Sequence, residues 1–272
     1  MSYAELHALS NFTFLRGASH PEELVETAAA LGYEALAITD ECTMSGVVRA
    51  HTAAKEHGLQ LIVGSELRLR SGRKLVALAQ DRHGYAALCE LITRARRAAE
   101  KGAYELTRHA FEDGLPGCLV LWVPDDSCML DVEDHWIRET FRDRLWIAVE
   151  LLADGRQRDK LARLVAEGRR LKLPLVACGD VHMHTRARRI VQDTLTAIRH
   201  GVTVDNAGFA LYPNGERHLR SLEVLNHVYP RALLEETLHI AGSIDFSLDE
   251  LCYEYPDEVV PEGETPASYL RR

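Results

Sequence analysis

The chain has 272 residues, 46% apolar and 27% charged, an ordinary globular composition that can bury a core without staples. It contains no run of 18 apolar residues, and Met1–Glu5 lacks a basic or apolar lead, so neither a membrane span nor a secretory signal is expected. A net charge of −9 argues against a domain whose main task is gripping DNA phosphates; an acid-rich patch would suit metal ions or a basic partner.

Along the chain, short apolar runs alternate with amphipathic stretches. Ser19, Pro21 and Glu22 form a helix-start signal, and the helix they open should run from Glu23 to Leu31 and stop at Gly32. Ala35–Thr39 then reads as a buried strand, followed by a helix over 45–57 that stops at Gly58. Further strands are expected at 59–63, 74–79, 119–123, 145–149 and 175–178, with helices near 83–100, 156–171, 186–199 and 231–241. This succession implies βα units and a mostly parallel sheet, either a barrel or a doubly wound sheet. The stretch from Asp245 to Glu264 has eight acidic and no basic residues and reads as an acidic linker or wrapping tail. The expected division is therefore a domain over 1–244 and a tail over 245–272, which ends without a stop signal as if a longer protein continued. The six cysteines are scattered without a CxxC pair, as expected of reduced thiols in a cytoplasmic protein.

The informative residues lie just past the strands. Asp40 and Glu41 come after the first, Glu66 after the second, and Asp180 and His182 after the last, while His7 stands near the start. In parallel barrels the carboxyl ends of strands converge, so these groups would meet there. Mixed carboxylate and imidazole donors suit Zn²⁺, Mn²⁺ or iron, which turn water into a nucleophile and clamp phosphoryl oxygens. Taken singly, Asp40 and Asp180 read as helix caps, Glu66 as a partner of Arg68 or Arg70, and His7 as a structural histidine. Asp180 and His182 resist that reading, because a period of two puts them on one side. Glu150 is read as structural. His51, His57, His83, His109, His200 and His218 are expected to be exposed.

Four segments resemble, in order, the amino-terminal PHP domain of bacterial DnaE-type (C-family) DNA polymerases. They are Tyr3-Ala-Glu-Leu-His7-Ala-Leu-Ser-Asn-Phe-Thr-Phe-Leu-Arg-Gly-Ala-Ser19, then Ala35–Glu41 with Ser45-Gly46, then Leu61–Glu66, and last Pro174–His182 with Gln192–Gly201. The resemblance spans roughly residues 3–270. It implies an α/β fold, a distorted seven-stranded β/α barrel, whose complete members bind up to three metal ions and can act as 3′–5′ proofreading exonucleases. The opening string is similar to the error-prone, damage-induced branch, which implies translesion synthesis, DNA repair and replication by a parent polymerase. Its implied partners are the parent's other domains and accessory translesion proteins, with DNA reached through the parent and no membrane.

The departures from the family pattern bear on activity. The first motif, His-x-His in the family, reads His7-Ala8-Leu9 here. Arg16 replaces an acidic ligand, Glu41 replaces a histidine, and the mid-barrel ligands around 100–125 have no counterpart. The residual set is His7, Asp40, Glu41, Glu66, Asp180 and His182, expected to hold no metal or a weakly bound divalent ion (zinc, manganese or magnesium). Clustered carboxylates need a cation, and Arg16 is suggested to supply it, with Glu41, Glu66 or Asp180 as its partner; the alternative is that it points to solvent. Three functions compete: a non-catalytic module of a polymerase, an active metal-dependent exonuclease, and a free-standing phosphatase of the histidinol-phosphate type. The missing His-x-His weighs against the last two.

Overall fold

The computed structural model describes residues 2–124, 135–251, 260 and 263–271. Seven strands form one sheet in chain order: β1 (Ala4–Ala8), β2 (Ala35–Ile38), β3 (Gln60–Arg68), β4 (Lys74–Ala79), β5 (Cys118–Val123), β6 (Leu145–Glu150) and β7 (Leu175–Cys178). The sheet nearly closes into a barrel. Val181, just past β7, makes a parallel bridge to Ala8, and Leu9 N–H donates to its carbonyl at 2.8 Å.

The neighbouring strands are parallel except at β4, which runs antiparallel to both β3 and β5. The five residues between β3 and β4 are too few for a helical crossover, so the chain turns back as a hairpin through Gly72 at φ +88°. β3 is also longer than its apolar run suggests. Its first half pairs with β2 and its second half, Gly64–Arg68, pairs with β4, so Glu66 lies within the strand and not after it.

The α-helices among the described residues are α1 (Pro21–Ala30), α2 (Val47–His57), α3 (Arg82–Arg97), α4 (His135–Phe141), α5 (Gln157–Leu171), α6 (Arg189–His200), α7 (Leu222–Val228), α8 (Arg231–Gly242) and the single turn α9 (Pro266–Tyr269). α4 and α7 have seven residues each, too short to show a periodic face in the sequence. α1 is capped one residue later than expected: His20 and Glu23 form the capping box. Ser19 instead faces His184, accepting its backbone N–H at 2.9 Å. His51 and His218 are half-buried, not exposed.

Alternate residues of the strands fill the barrel, small against large, as with Ala35, Ala37 and Ala148 beside Ile62, Leu121 and Trp146. Ile240 and Ala241 of α8, with Ile244, close the lower end. The opposite parity packs against α1, α2, α3 and α5 as a second layer. Residues 245–251, grouped with the tail by composition, pack on the barrel: Phe246 is buried and stacks on Tyr85 at 4.8 Å. The rest of the acidic stretch, 252–264, lies mostly outside the described residues.

β1 departs from simple alternation. Its register against β2 shifts between Glu5 and Ala8, the signature of a bulge. Buried Glu5 accepts two backbone donors beside the bulge, His7 N–H at 3.0 Å and Gly179 N–H at 2.9 Å, and also the Tyr3 hydroxyl at 2.9 Å. Glu5→Ala would orphan all three donors and should cost about 2–4 kcal/mol. Glu5→Gln keeps a carbonyl acceptor and should cost less. Urea unfolding measures both; an alanine variant as stable as the parent would show that the bulge does not depend on this carboxylate.

Candidate functional site at the barrel mouth

The inward parity that is apolar through the barrel becomes charged at its upper end. Continuing the inner row upward leads from Ile62 to Glu66, from Ala148 to Glu150, and from Cys178 to Asp180. β4 runs the other way, so its inner row passes from Val76 to Lys74 at the strand's start. The β1 bulge turns His7 inward next to Leu6, which already faces the interior.

His7 is fully buried between carboxylates. Its Nε2 lies 3.0 Å from Glu66 Oε2, its Nδ1 lies 3.0 Å from Glu150 Oε1, and Asp180 Oδ1 is 3.8 Å away. Burial alone would lower its pKa, but the hydrogen bonds to Glu150 and Glu66 and the Asp180 charge raise it to about 9. Lys74 Nζ stands among the same acids, 3.8 Å from Glu66, 3.7 Å from Glu150 and 3.9 Å from Asp180. Arg217 bonds Asp180 from outside and stacks over the Tyr212 ring at 4.1 Å. Against burial, which raises them, Lys74 and Arg16 hold the Glu66 carboxyl well below its usual range, and Arg217 and Lys74 do the same for Asp180.

Arg16 points inward. Its guanidinium donates to Glu66 Oε1 at 2.7 Å and also bonds Glu41. Arg68 reaches Glu66 from the solvent side at 3.0 Å, and the Tyr104 hydroxyl donates to Glu41 at 2.7 Å. The loop bearing Arg16 is folded tightly: a Cβ on Gly17 would meet the Ser10 carbonyl oxygen at 1.9 Å. Asp40 anchors this loop, accepting from Ser10 N–H at 2.7 Å, Ser10 Oγ at 2.6 Å and Thr13 Oγ1 at 2.6 Å. Its oxygens are therefore spent on the loop and not on the cluster. Burial nevertheless pushes its pKa up.

The His182 ring reaches the cluster through Asp180, 3.1 Å from its Nε2. Gln192 donates to its Nδ1 at 2.8 Å, and burial lowers its pKa to about 4, which fixes a neutral ring with the proton on Nε2. Asp180 itself holds φ +44°, an uncommon backbone conformation for a residue other than glycine.

Of the residues singled out by sequence, the structure thus gathers His7, Glu66 and Asp180 directly, Glu41 through Arg16, and His182 through Asp180. Three central groups lie outside that set. Glu150, read from sequence as structural, carries the same strand-end signal as Asp180 and joins the cluster through its contact with His7. Lys74 sits at the start of a strand whose reversal the sequence does not announce. Arg217 arrives from a loop that no local pattern ties to the barrel, held by a 2.9 Å bond from His182 N–H to its carbonyl.

Donor atoms of His7, Glu150 and Asp180 lie within 4.8 Å of one another, a spacing that could hold a metal ion. The surroundings fit one poorly. Both ring nitrogens of His7 are taken by carboxylates. A divalent ion would also sit beside the fixed charges of Lys74 and Arg217.

A family model described as the PHP domain matches residues 5–144. An error-prone DNA polymerase of Dechloromonas aromatica (strain RCB) is 59% identical, over 99% of this chain and 27% of that protein. One of Methylococcus capsulatus is 58% identical, over 99% of this chain and 26% of that protein. The chain therefore spans about a quarter of the length of these curated relatives. A solved structure from Bifidobacterium adolescentis, assigned as a metal-dependent phosphoesterase, superposes with a TM-score of 0.51 at 17% identity, over 67% of this chain and 88% of that one, a likeness of fold alone.

Two measurements check the electrostatics. Arg16→Ala should destabilise the fold by about 2–4 kcal/mol at pH 7, at the low side of a broken buried pair because Lys74 and Arg68 still flank Glu66. The Glu66 pKa is depressed, so its stabilisation is present above the ordinary value of 4.5 and lost as pH falls through the folded value. The gap between variant and parent should therefore close in acid; equal melting at every pH would refute the inward pairing. The His7 pKa is raised, so its contribution is complete below 6.5 and is lost as pH rises through about 9. Stability should fall by on the order of 3 kcal/mol across that window and stay flatter in His7→Gln. An equal alkaline slope in both proteins would remove His7 as its source.

Proposed function

The chain belongs to the PHP domain family, and from that premise we propose that it serves as the PHP module of an error-prone DNA polymerase, as a structural domain whose metal site is degenerate. The observation that carries this reading is Lys74, whose ammonium stands among Glu66, Glu150 and Asp180 where a divalent ion would have to go. Arg16 and Arg217 complete the substitution by pairing with Glu66, Glu41 and Asp180. In this reading His7, Glu41, Glu66, Asp180 and His182 form the residual ligand set, joined by Glu150, while Asp40 has become a loop anchor.

The module, expected over residues 1–244, would also take in 245–251, which pack on the barrel, with the rest of the tail to 272 leading toward the other domains of the parent. Those domains would carry nucleotidyl transfer, translesion synthesis and the contact with DNA. The net charge of −9 supports leaving the main DNA grip to them. Among the described residues no helix is long and apolar enough to cross a membrane; a cytoplasmic site of action accords with the polymerase reading.

A second reading, an active metal-dependent 3′–5′ exonuclease, is favoured by the spacing of the His7, Glu150 and Asp180 donors. Elemental analysis and a nuclease assay separate the two. The proposed function expects far less than one zinc or manganese per chain and no shortening of a 3′-labelled DNA strand with added Mn²⁺. Near-stoichiometric metal, with strand shortening abolished by a chelator, would establish the second reading instead.

A further inference from the structure

We propose that the outer face of α6, with the two turns that follow it, is the surface on which the polymerase domains beyond this chain dock. The inference rests on the reading of the chain as a module of a longer polymerase, and it names the face by which that module is held.

α6 is built the opposite way round from other helices of the barrel. α1 buries Leu24, Val25 and Ala28, and α8 buries Leu233, Leu234 and Ile240. The buried residues of α6 are Gln192, Thr196 and Ala197. At about 3.6 residues per turn, Ile190, Val191, Leu195 and Ile198 fall on the side away from Gln192 and Thr196. Ile190 and Ile198 are 77% and 58% exposed, and Val191 and Leu195 are half-buried. The cause is local. The inner face has to serve polar groups beside the mouth: Gln192 donates to His182 Nδ1 at 2.8 Å and to the Arg16 carbonyl at 3.2 Å. A polar inner face leaves the apolar stripe outside.

The apolar surface continues past the helix. The turns Val204–Asn206 and Gly208–Ala210 pack beside α6, and Val202, Val204 and Phe209 are exposed there. Among the described residues ten large apolar side chains are exposed, and five of them lie within residues 190–209. A single such side chain needs no explanation, but a group of five on one helix and its flanking turns does.

The occupant is the remainder of the parent chain. The relatives that are 59% and 58% identical to this chain match it over only 27% and 26% of their length, so most of such a protein lies beyond this surface. The make-up of the face suits a permanent contact. Its large side chains are Ile, Val, Leu and Phe, and the neighbouring charges Arg189 and Asp193 pair with each other at 3.4 Å; permanent interfaces are the more apolar ones. A transient partner would leave this face in water between encounters, whereas domains on the same chain are always at hand.

Ile198→Cys reports on the face. Its reaction with a maleimide is followed by peptide mass spectrometry in the 272-residue chain and in the full-length polymerase, each against the denatured protein. The thiol should react freely in the chain alone and about tenfold more slowly in the polymerase. Ile190→Glu adds a charge to the stripe in the first turn of α6, where a carboxylate suits the helix, so the 272-residue chain should melt as before. In the polymerase it should restore the fast reaction of the Ile198→Cys thiol. Equal rates in chain and polymerase would overturn the inference. So would protection that requires an added accessory protein, or a dimer of the chain that Ile190→Glu abolishes, since the face would then belong to that protein or to a second copy. The degenerate-site reading stands or falls separately, on metal content and nuclease activity. A gene that encodes these residues alone would sink the module reading and the docking together.

Discussion

The upper barrel depends on one electrostatic constraint: four carboxylates, Glu41, Glu66, Glu150 and Asp180, converge where little water reaches them. Buried like charges are unstable unless protonated or paired. Here Glu66, Glu150 and Asp180 stay ionised because cations come to them: Lys74 at the centre, Arg16 and Arg68 on one flank, Arg217 on the other, and a protonated His7 beneath. Lys74 offsets its own desolvation in the same way, since the surrounding acids raise its pKa against burial. No single pair is responsible, and the acids and bases of the mouth must fold into place together.

That requirement explains the irregular backbone around the site. A bulge turns His7 inward, and Glu5 accepts two backbone amides beside it. Asp40 ties down the loop that carries Arg16, and Ala18 N–H donates to the His182 carbonyl at 2.7 Å, fastening that loop to the segment after β7. The same segment holds Asp180 at positive φ and closes the barrel through Val181. Barrel closure and charge pairing are thus carried by the same few residues. The observed strain at Asp180 is held in place by bonds on both sides of it.

The parts legible in the sequence are those with a local cause. Apolar runs of Val, Ile and Leu mark six strands, and the rule that parallel strands converge at their carboxyl ends brings His7, Glu66 and Asp180 to one place. β1 escapes because Glu5 and His7 interrupt its apolar run, although both are buried. Lys74 escapes for a topological reason: the convergence rule looks at strand ends, and in an antiparallel strand the start lies at the mouth. Arg217 escapes because its position depends on a long-range backbone pairing beside β7, for which a sequence offers no periodicity. Asp40 shows the opposite error. It sits at a strand end as expected, yet its oxygens are consumed by the loop folded over it.

A metal site that loses its ion has two ways to remain folded. The acids can be replaced by neutral residues, or the acids can stay and cations replace the ion. Glu66, Glu150 and Asp180 remain acidic here, and Arg16 stands where the family resemblance implies a ligand, so under the degenerate-site reading proposed above this chain follows the second route. The choice has a consequence for surface chemistry. A divalent ion presents its charge at one point and orients a ligand by coordination. Lysine and arginine present charge along flexible stems, keep spare N–H donors, and need no ion from solution. Retained acids then act as a scaffold that holds those cations in place.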